Sequence, residues 1–187
     1  GDYTTEAMEE MLKEALRLRG ERLDVFFMIG LPAQTIDSVR ATVDYCEHLF
    51  GLGDARLSCY ISPMGPFLDP GSRGFEEPER FGYRLFARSL EEHRRLLVQP
   101  SWEHILNYET RWMTRRELVD ATYDAAERLN ELKIRYGRIS PRRGRQVAAS
   151  IAAARALRAR LDAGLAQGED AGGDAGGPAG GDVEHAA

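Results

Sequence analysis

Cysteine is scarce in this chain. Among 187 residues only Cys46 and Cys59 carry a thiol, and they stand in no CxxC or CxxxCxxC spacing. That leaves neither a disulfide framework nor a self-contained thiolate metal site. Histidine is equally thin: His48, His93, His104 and His185 form no i, i+4 pair and no HExxH pattern, so no helix-borne zinc site is expected. No apolar run approaches the ~20 residues needed to span a bilayer. The opening "GDYTTEAMEEMLKEAL" lacks the basic-then-apolar layout of a signal peptide. Basic charge is not in excess either, since the formal net charge of -5 disfavours general binding to nucleic acid. What remains is globular in composition, 43% hydrophobic and 29% charged, with a length that suits one domain or part of a larger one. We therefore expect a cytoplasmic protein with no membrane segment. A chain that lacks an initiator Met and begins almost directly in a helix is further expected to be a piece of something longer.

The first half of the chain has a regular rhythm. Thr4 or Thr5 can cap a first helix whose Met8, Met11, Leu12, Ala15 and Leu18 recur at helical spacing, and Gly20 is placed to end it in a left-handed conformation. A continuous apolar strand, Asp24 to Leu31, follows at once. Thr35 caps a second helix with Val39, Val43, Cys46 and Leu49 on one stripe, a Gly-Leu-Gly turn ends it, and "ARLSCYIS" (Ala55 to Ser62) is the next strand. Helix, strand, helix and strand with short connections imply a parallel sheet with right-handed crossovers.

Later the rhythm breaks. Residues 63–82, "PMGPFLDPGSRGFEEPERFG", are rich in Pro and Gly and too long for an idle connection. The pattern then predicts a helix from about Tyr83 to Val98, a last strand within "WEHILNYET", and a long helix from the Thr114 cap to about Tyr136, closed by Gly137. An Arg-rich helix begins near Pro141. From Gly164 on, 8 of 24 residues are Gly, a composition that buries too little apolar area to offset chain entropy, so disorder is expected there.

The segment "DVFFMIGLPAQT" concentrates the functional question. Side chains alternate along a strand, so Val25, Phe27, Ile29 and Leu31 make one apolar face while Asp24, Phe26, Met28 and Gly30 make the other. The second strand divides likewise, Leu57, Cys59 and Ile61 against Ser58, Tyr60 and Ser62. Mixed faces on neighbouring parallel strands are what the inner wall of a ligand-holding barrel requires, and both strands run into special loops at their C-terminal ends, where βα-barrels place their sites. Gly30 permits close approach of a ligand and Pro32 fixes the exit direction. A plain strand-to-helix turn over an ordinary core fits the same residues.

"FFMIGLPAQT" resembles the fifth-strand segment of radical S-adenosylmethionine enzymes, where "GLPGQT" or "GFPGET" is common. "SPMGPFLDPGS", "FEEPERFGYRLF", "SLEEHRRLL" and "LNYETRWMT", in that order, resemble its cobalamin-binding subgroup. The likeness covers roughly residues 3–137. It implies the C-terminal portion of a partial, TIM-like βα-barrel that holds a [4Fe–4S] cluster and S-adenosylmethionine, with cobalamin in the full-length protein, and that generates a 5′-deoxyadenosyl radical. A residue of this strand packs on the adenine in the family. Alignment on the glycine places Met28 there, with Ile29, Gly30, Leu31, Pro32 and Gln34 as its cofactor-binding surroundings. The family's usual acidic residue a few positions on has no counterpart, because Ala33 stands there. The cluster-binding CxxxCxxC loop belongs upstream and is absent here, and neither Cys46 nor Cys59 can replace its three thiolates; both suit buried, small hydrophobic roles. The chain alone is therefore expected to be inactive, and its first partner is the missing N-terminal half.

Several other residues admit two readings. Tyr60, Ser62, Asp69, Asn107 and Tyr108, with Glu109, can line a substrate wall, or they are core tyrosines, caps and turn formers; Asp69 in "LDPGS" suits a turn that bonds the backbone ahead of it. In the Arg-rich segment, Val147, Ile151, Ala154, Leu157 and Leu161 form an apolar stripe, while Arg142, Arg143, Arg145, Arg155, Arg158 and Arg160 occupy the rest. Such a helix either packs on the exterior or serves a non-catalytic interaction module that binds RNA, an acidic partner or a membrane surface. No aromatic residues are interleaved for base stacking, which weakens the RNA alternative. The organisation expected is thus residues 1–137 as barrel portion and helical extension, 138–163 as the Arg-rich helix, and 164–187 as a disordered tail. The substrate is left open.

Overall fold

The computed structural model describes residues 4–172 apart from Met64 and Pro66. Most of the expected tail, from residue 173 on, lies outside the described residues. Helix α1 (Thr5–Arg17) begins where the Thr4 hydroxyl accepts the Ala7 N–H. Strand β1 (Leu23–Ile29) leads to α2 (Ile36–Gly51), whose capping box pairs Thr35 and Ser38 reciprocally. Strand β2 (Leu57–Pro63) then lies parallel to β1 with Leu23 opposite Leu57, Phe26 opposite Tyr60 and Met28 opposite Ser62. This is the crossover expected of the sequence, with α2 packed against one face of the pair.

That face is the core. Ile29, Leu57 and Cys59 are fully buried beneath Val43, Cys46, Leu49 and Phe50 of α2. The long helix α7 (Arg115–Arg135) adds Leu118, Val119, Ala125, Leu129 and Leu132 to the same cluster. Both cysteines behave as small apolar groups there, and the Cys46 thiol is pushed up by its hydrogen bond to Cys59 and by burial. Polar ties fasten the rim, with Arg135 bonding Glu47 at 2.7 Å and Arg128 pairing with Asp44.

The end of α1 departs from expectation. Gly20 does not end the helix in a left-handed turn; the chain leaves extended at Leu18. The Arg56 guanidinium instead takes the carbonyls of Leu16, Leu18 (3.0 Å) and Gly20 (3.1 Å), held in place by Asp54 at 2.7 Å. A side chain from 36 to 40 residues away thus performs the capping that glycine geometry was expected to supply.

The Pro- and Gly-rich stretch contains two single-turn helices, α3 (Arg73–Glu76) and α4 (Pro78–Phe81). The helix expected over residues 83–98 is replaced in its first part by strand β3 (Tyr83–Leu85); helix α5 (Leu90–Leu97) begins only at the Ser89–Glu92 capping box. "WEHILNYET" divides into a short helix α6 (Trp102–Ile105) and strand β4 (Tyr108–Thr110). β4 does not extend the parallel pair. It runs antiparallel to β3, Tyr83 opposite Thr110, in a second two-stranded sheet.

Helix α7 closes as predicted at Gly137, φ +66°: the Arg138 N–H bonds the Lys133 carbonyl at 2.7 Å and the Gly137 N–H that of Ile134 at 3.1 Å, a Schellman turn. Helix α8 (Pro141–Gly172) folds back along α7 and runs past the boundary expected near residue 163. Gly144 makes the fit, because a Cβ there would lie 2.3 Å from the Ile134 side chain. Ile151 is buried against α7, while Arg155 bonds Asp124 and Glu127, and Arg158 bonds Glu103 and Asp120. Among the described residues no helix is long and apolar enough to cross a membrane.

Candidate functional site

Opposite the packed core, the second face of β1–β2 is bare. Phe26 is 66% exposed and Met28 51%. Phe26 stacks on Tyr60 with ring centroids 5.1 Å apart and planes 20° apart. Arg22 pairs with Asp24 at 2.6 Å and reaches the Tyr60 hydroxyl, while the Lys133 ammonium sits 3.7 Å from the Tyr60 ring centroid. Ser62, beside Met28, is exposed. The face is an aromatic and thioether platform with cations at one side, suited to stacking a flat group.

At the C-terminal end of β1 the turn is locked from within. The Gln34 amide oxygen accepts the N–H groups of Gly30 (2.7 Å) and Leu31 (3.3 Å), and its amide nitrogen donates to the Met28 carbonyl at 3.0 Å. One side chain therefore satisfies three backbone groups left over when the strand ends. Tyr83, from the second sheet, donates its hydroxyl to the Gly30 carbonyl at 3.0 Å. Gly30 has φ +95°, and a Cβ on it would lie 2.9 Å from the Tyr108 hydroxyl oxygen. The glycine makes room for a tyrosine of this chain, which corrects its expected role of admitting a ligand. Ala33, at φ +61°, is the single non-glycine residue in the left-handed region among those described.

The expected site residues thus separate. Met28, Leu31 and Pro32 are exposed at the open face or its rim. Ile29 is fully buried on the helix-covered face, so it lines no open wall. Gln34 is committed to the turn. Tyr60 and Ser62 share the open face with Met28, as the strand register requires. Asn107 and Tyr108 do not join them, because both are fully buried. The Asn107 amide accepts the Leu68 N–H at 2.8 Å and donates to the Leu68 carbonyl and to His93 Nε2 (2.9 Å), whose Nδ1 donates to the Ser89 carbonyl. This buried chain pins the Pro-rich loop to α5, so Asn107 is a structural clip. Asp69 is exposed, and the bond it makes in its turn comes from its carbonyl, which accepts the Ser72 N–H at 3.0 Å. Glu109 is paired with Arg84 at 3.1 Å.

Tyr108 keeps one loose end. Its hydroxyl is buried with no partner among the described residues, and burial, with Tyr83 beside it, pushes the phenol well above the ordinary tyrosine range. Tyr83 rises to about 12 through burial alone. Neither phenol is poised to exchange protons near neutrality. Among the described residues no three His, Cys, Asp or Glu side chains converge where they could hold a metal ion. Cys46 and Cys59 face each other between α2 and β2, so this chain's thiols do not suit an iron–sulfur cluster.

Comparison with known proteins yields no match: neither a family model, nor a curated protein, nor a solved structure is similar to this chain. The site must be interpreted from its own geometry.

Sequence reasoning missed Arg22, Lys133 and Tyr83 as neighbours of the strand ends. Arg22 was within reach, since it stands two residues before Asp24 on the same face. Lys133 and Tyr83 come from elements 50 residues or more away and carried no local signal.

Proposed function

We propose that the chain is the C-terminal portion of a cobalamin-dependent-type radical S-adenosylmethionine enzyme, and that β1 and β2 are two neighbouring staves of its partial βα-barrel. The observation that carries this reading is the bare parallel pair. Parallel strands are normally covered on both faces, yet Phe26, Met28 and Ser62 lie open side by side, with Tyr60 half-buried beside them. A cofactor wall needs that arrangement: a flat apolar platform for a purine, with a backbone turn at the strand end whose polar groups are already fixed. The iron–sulfur cluster does not fit this chain's residues and would have to be held by a preceding segment, so no reaction step is assigned to these side chains.

The coding sequence immediately upstream of Gly1 tests the proposal. A CxxxCxxC motif is expected there, and a polypeptide extended to include it should protect Phe26 and Met28 from solvent in hydrogen exchange. An upstream sequence without that motif overturns the assignment. The alternative, an interaction module using the Arg-rich helix, draws less support, because Arg155 and Arg158 are turned inward onto carboxylates of α6 and α7.

A further inference from the structure

A cavity of about 300 Å³ lies between β2, α7 and the start of α8, away from the β1 turn; it shares Tyr60 and Lys133 with the open strand face but does not rest on the barrel proposal. Ile61, Leu129, Ile139 and Val147 supply apolar walls, and Tyr60, Asn130, Lys133 and Arg143 supply its polar groups. No carboxylate lines it. Several cations on the same two helices do find carboxylates: Arg135, Arg155 and Arg158 each bond acidic side chains. Lys133 is half-buried, its ammonium rests on the Tyr60 ring, and no carboxylate is within ion-pair distance among the described residues. Burial holds that ammonium below the ordinary lysine range.

Asn130 supplies an independent sign. It is 6% exposed, and its amide nitrogen donates to the Gly144 carbonyl at 3.0 Å, which fixes the amide orientation. The amide oxygen then lies buried with no donor among the described residues, a cost that a bound N–H or O–H would remove. One wall therefore presents two cations and one unanswered acceptor beside an apolar floor. A carboxylate has two oxygens for two cations, and a single negative charge leaves less to desolvate than a phosphate dianion.

We propose that this cavity binds a small organic carboxylate that carries an apolar body and an adjacent N–H or O–H donor. Lys133 and Arg143 take the carboxylate, Asn130 takes the donor, and Ile61, Leu129 and Val147 enclose the apolar part. N-acetyl-L-leucine has these features and is the probe. Titrated into the isotope-labelled chain, it should move the amide resonances of Tyr60, Asn130, Lys133 and Val147 saturably, with a dissociation constant on the order of 1 mM. N-acetyl-L-leucinamide, which lacks the carboxylate, should bind at least tenfold more weakly. Lys133→Met should weaken the acid at least tenfold and leave the amide unchanged. The variant's melting temperature should not fall, since it removes an unpaired half-buried charge, and this separates lost binding from lost folding. Equal binding of acid and amide, undiminished binding to Lys133→Met, or shifts confined to other surfaces would each overturn the proposal.

Discussion

Ile29 and Met28 are neighbours in the chain, yet the first is fully buried and the second half exposed. The contrast recurs at intervals along the β1–β2 pair: Ile29, Leu57 and Cys59 are buried, Phe26, Met28 and Ser62 are exposed, and the residues between them are half-buried. One face meets α2 and the core of α7, while the other meets solvent and a few cations. Alternation along a strand creates two faces, but it does not say which will be covered. Cover comes from the crossover helix, which a parallel pair needs in order to exist at all.

The sharpest way to break this contrast is to truncate both neighbours. Ile29→Ala should cost about 2–4 kcal/mol, seen as a lower denaturant midpoint at unchanged slope, whereas Met28→Ala should stay within about 0.5 kcal/mol. Equal losses would mean that the open face is covered after all. A smaller effect probes the junction of the two faces. Gly30→Ala should cost about 1–3 kcal/mol, because φ +95° strains any side chain and the new methyl meets the Tyr108 hydroxyl. Adding Tyr108→Phe should recover part of that loss, a coupling that a double-mutant cycle measures. The smallest effect has the opposite sign. Ala33→Gly should raise stability by about 0.5–1 kcal/mol by relieving the left-handed backbone at φ +61°, and a lower midpoint would show that the Ala33 methyl is needed where it sits.

The first half of the molecule was legible in its sequence because its signals are local. Thr35 caps α2, the apolar runs are the strands, and the face assignment at Leu57, Cys59 and Ile29 follows from period-two alternation. Gly137 was equally readable, since a helix end needing positive φ selects glycine. The second half was harder. Tyr83–Leu85 is a three-residue strand, too short to show alternation, and the Ser89–Glu92 capping box that sets the true start of α5 sits inside the helix expected over 83–98. Asn107 reads as a possible pocket residue in the sequence because its bonding partners, Leu68 and His93, lie 39 and 14 residues away. At the candidate site the glycine was noticed but its occupant was not. Nothing local to residue 30 announces a tyrosine at residue 108.

The grip of Arg56 on the end of α1 carries a consequence for how tolerant the surface is. A planar fork with five donors reaches three carbonyls at once, and Asp54 holds it aimed. A lysine would keep the charge but offer only a single, freely rotating head, unable to span them. In a protein rich in exposed arginines, this one works as a latch between the first helix and the loop before β2. Exchanges harmless elsewhere on the surface would here let the N-terminal helix swing away from the core that its Leu12 joins.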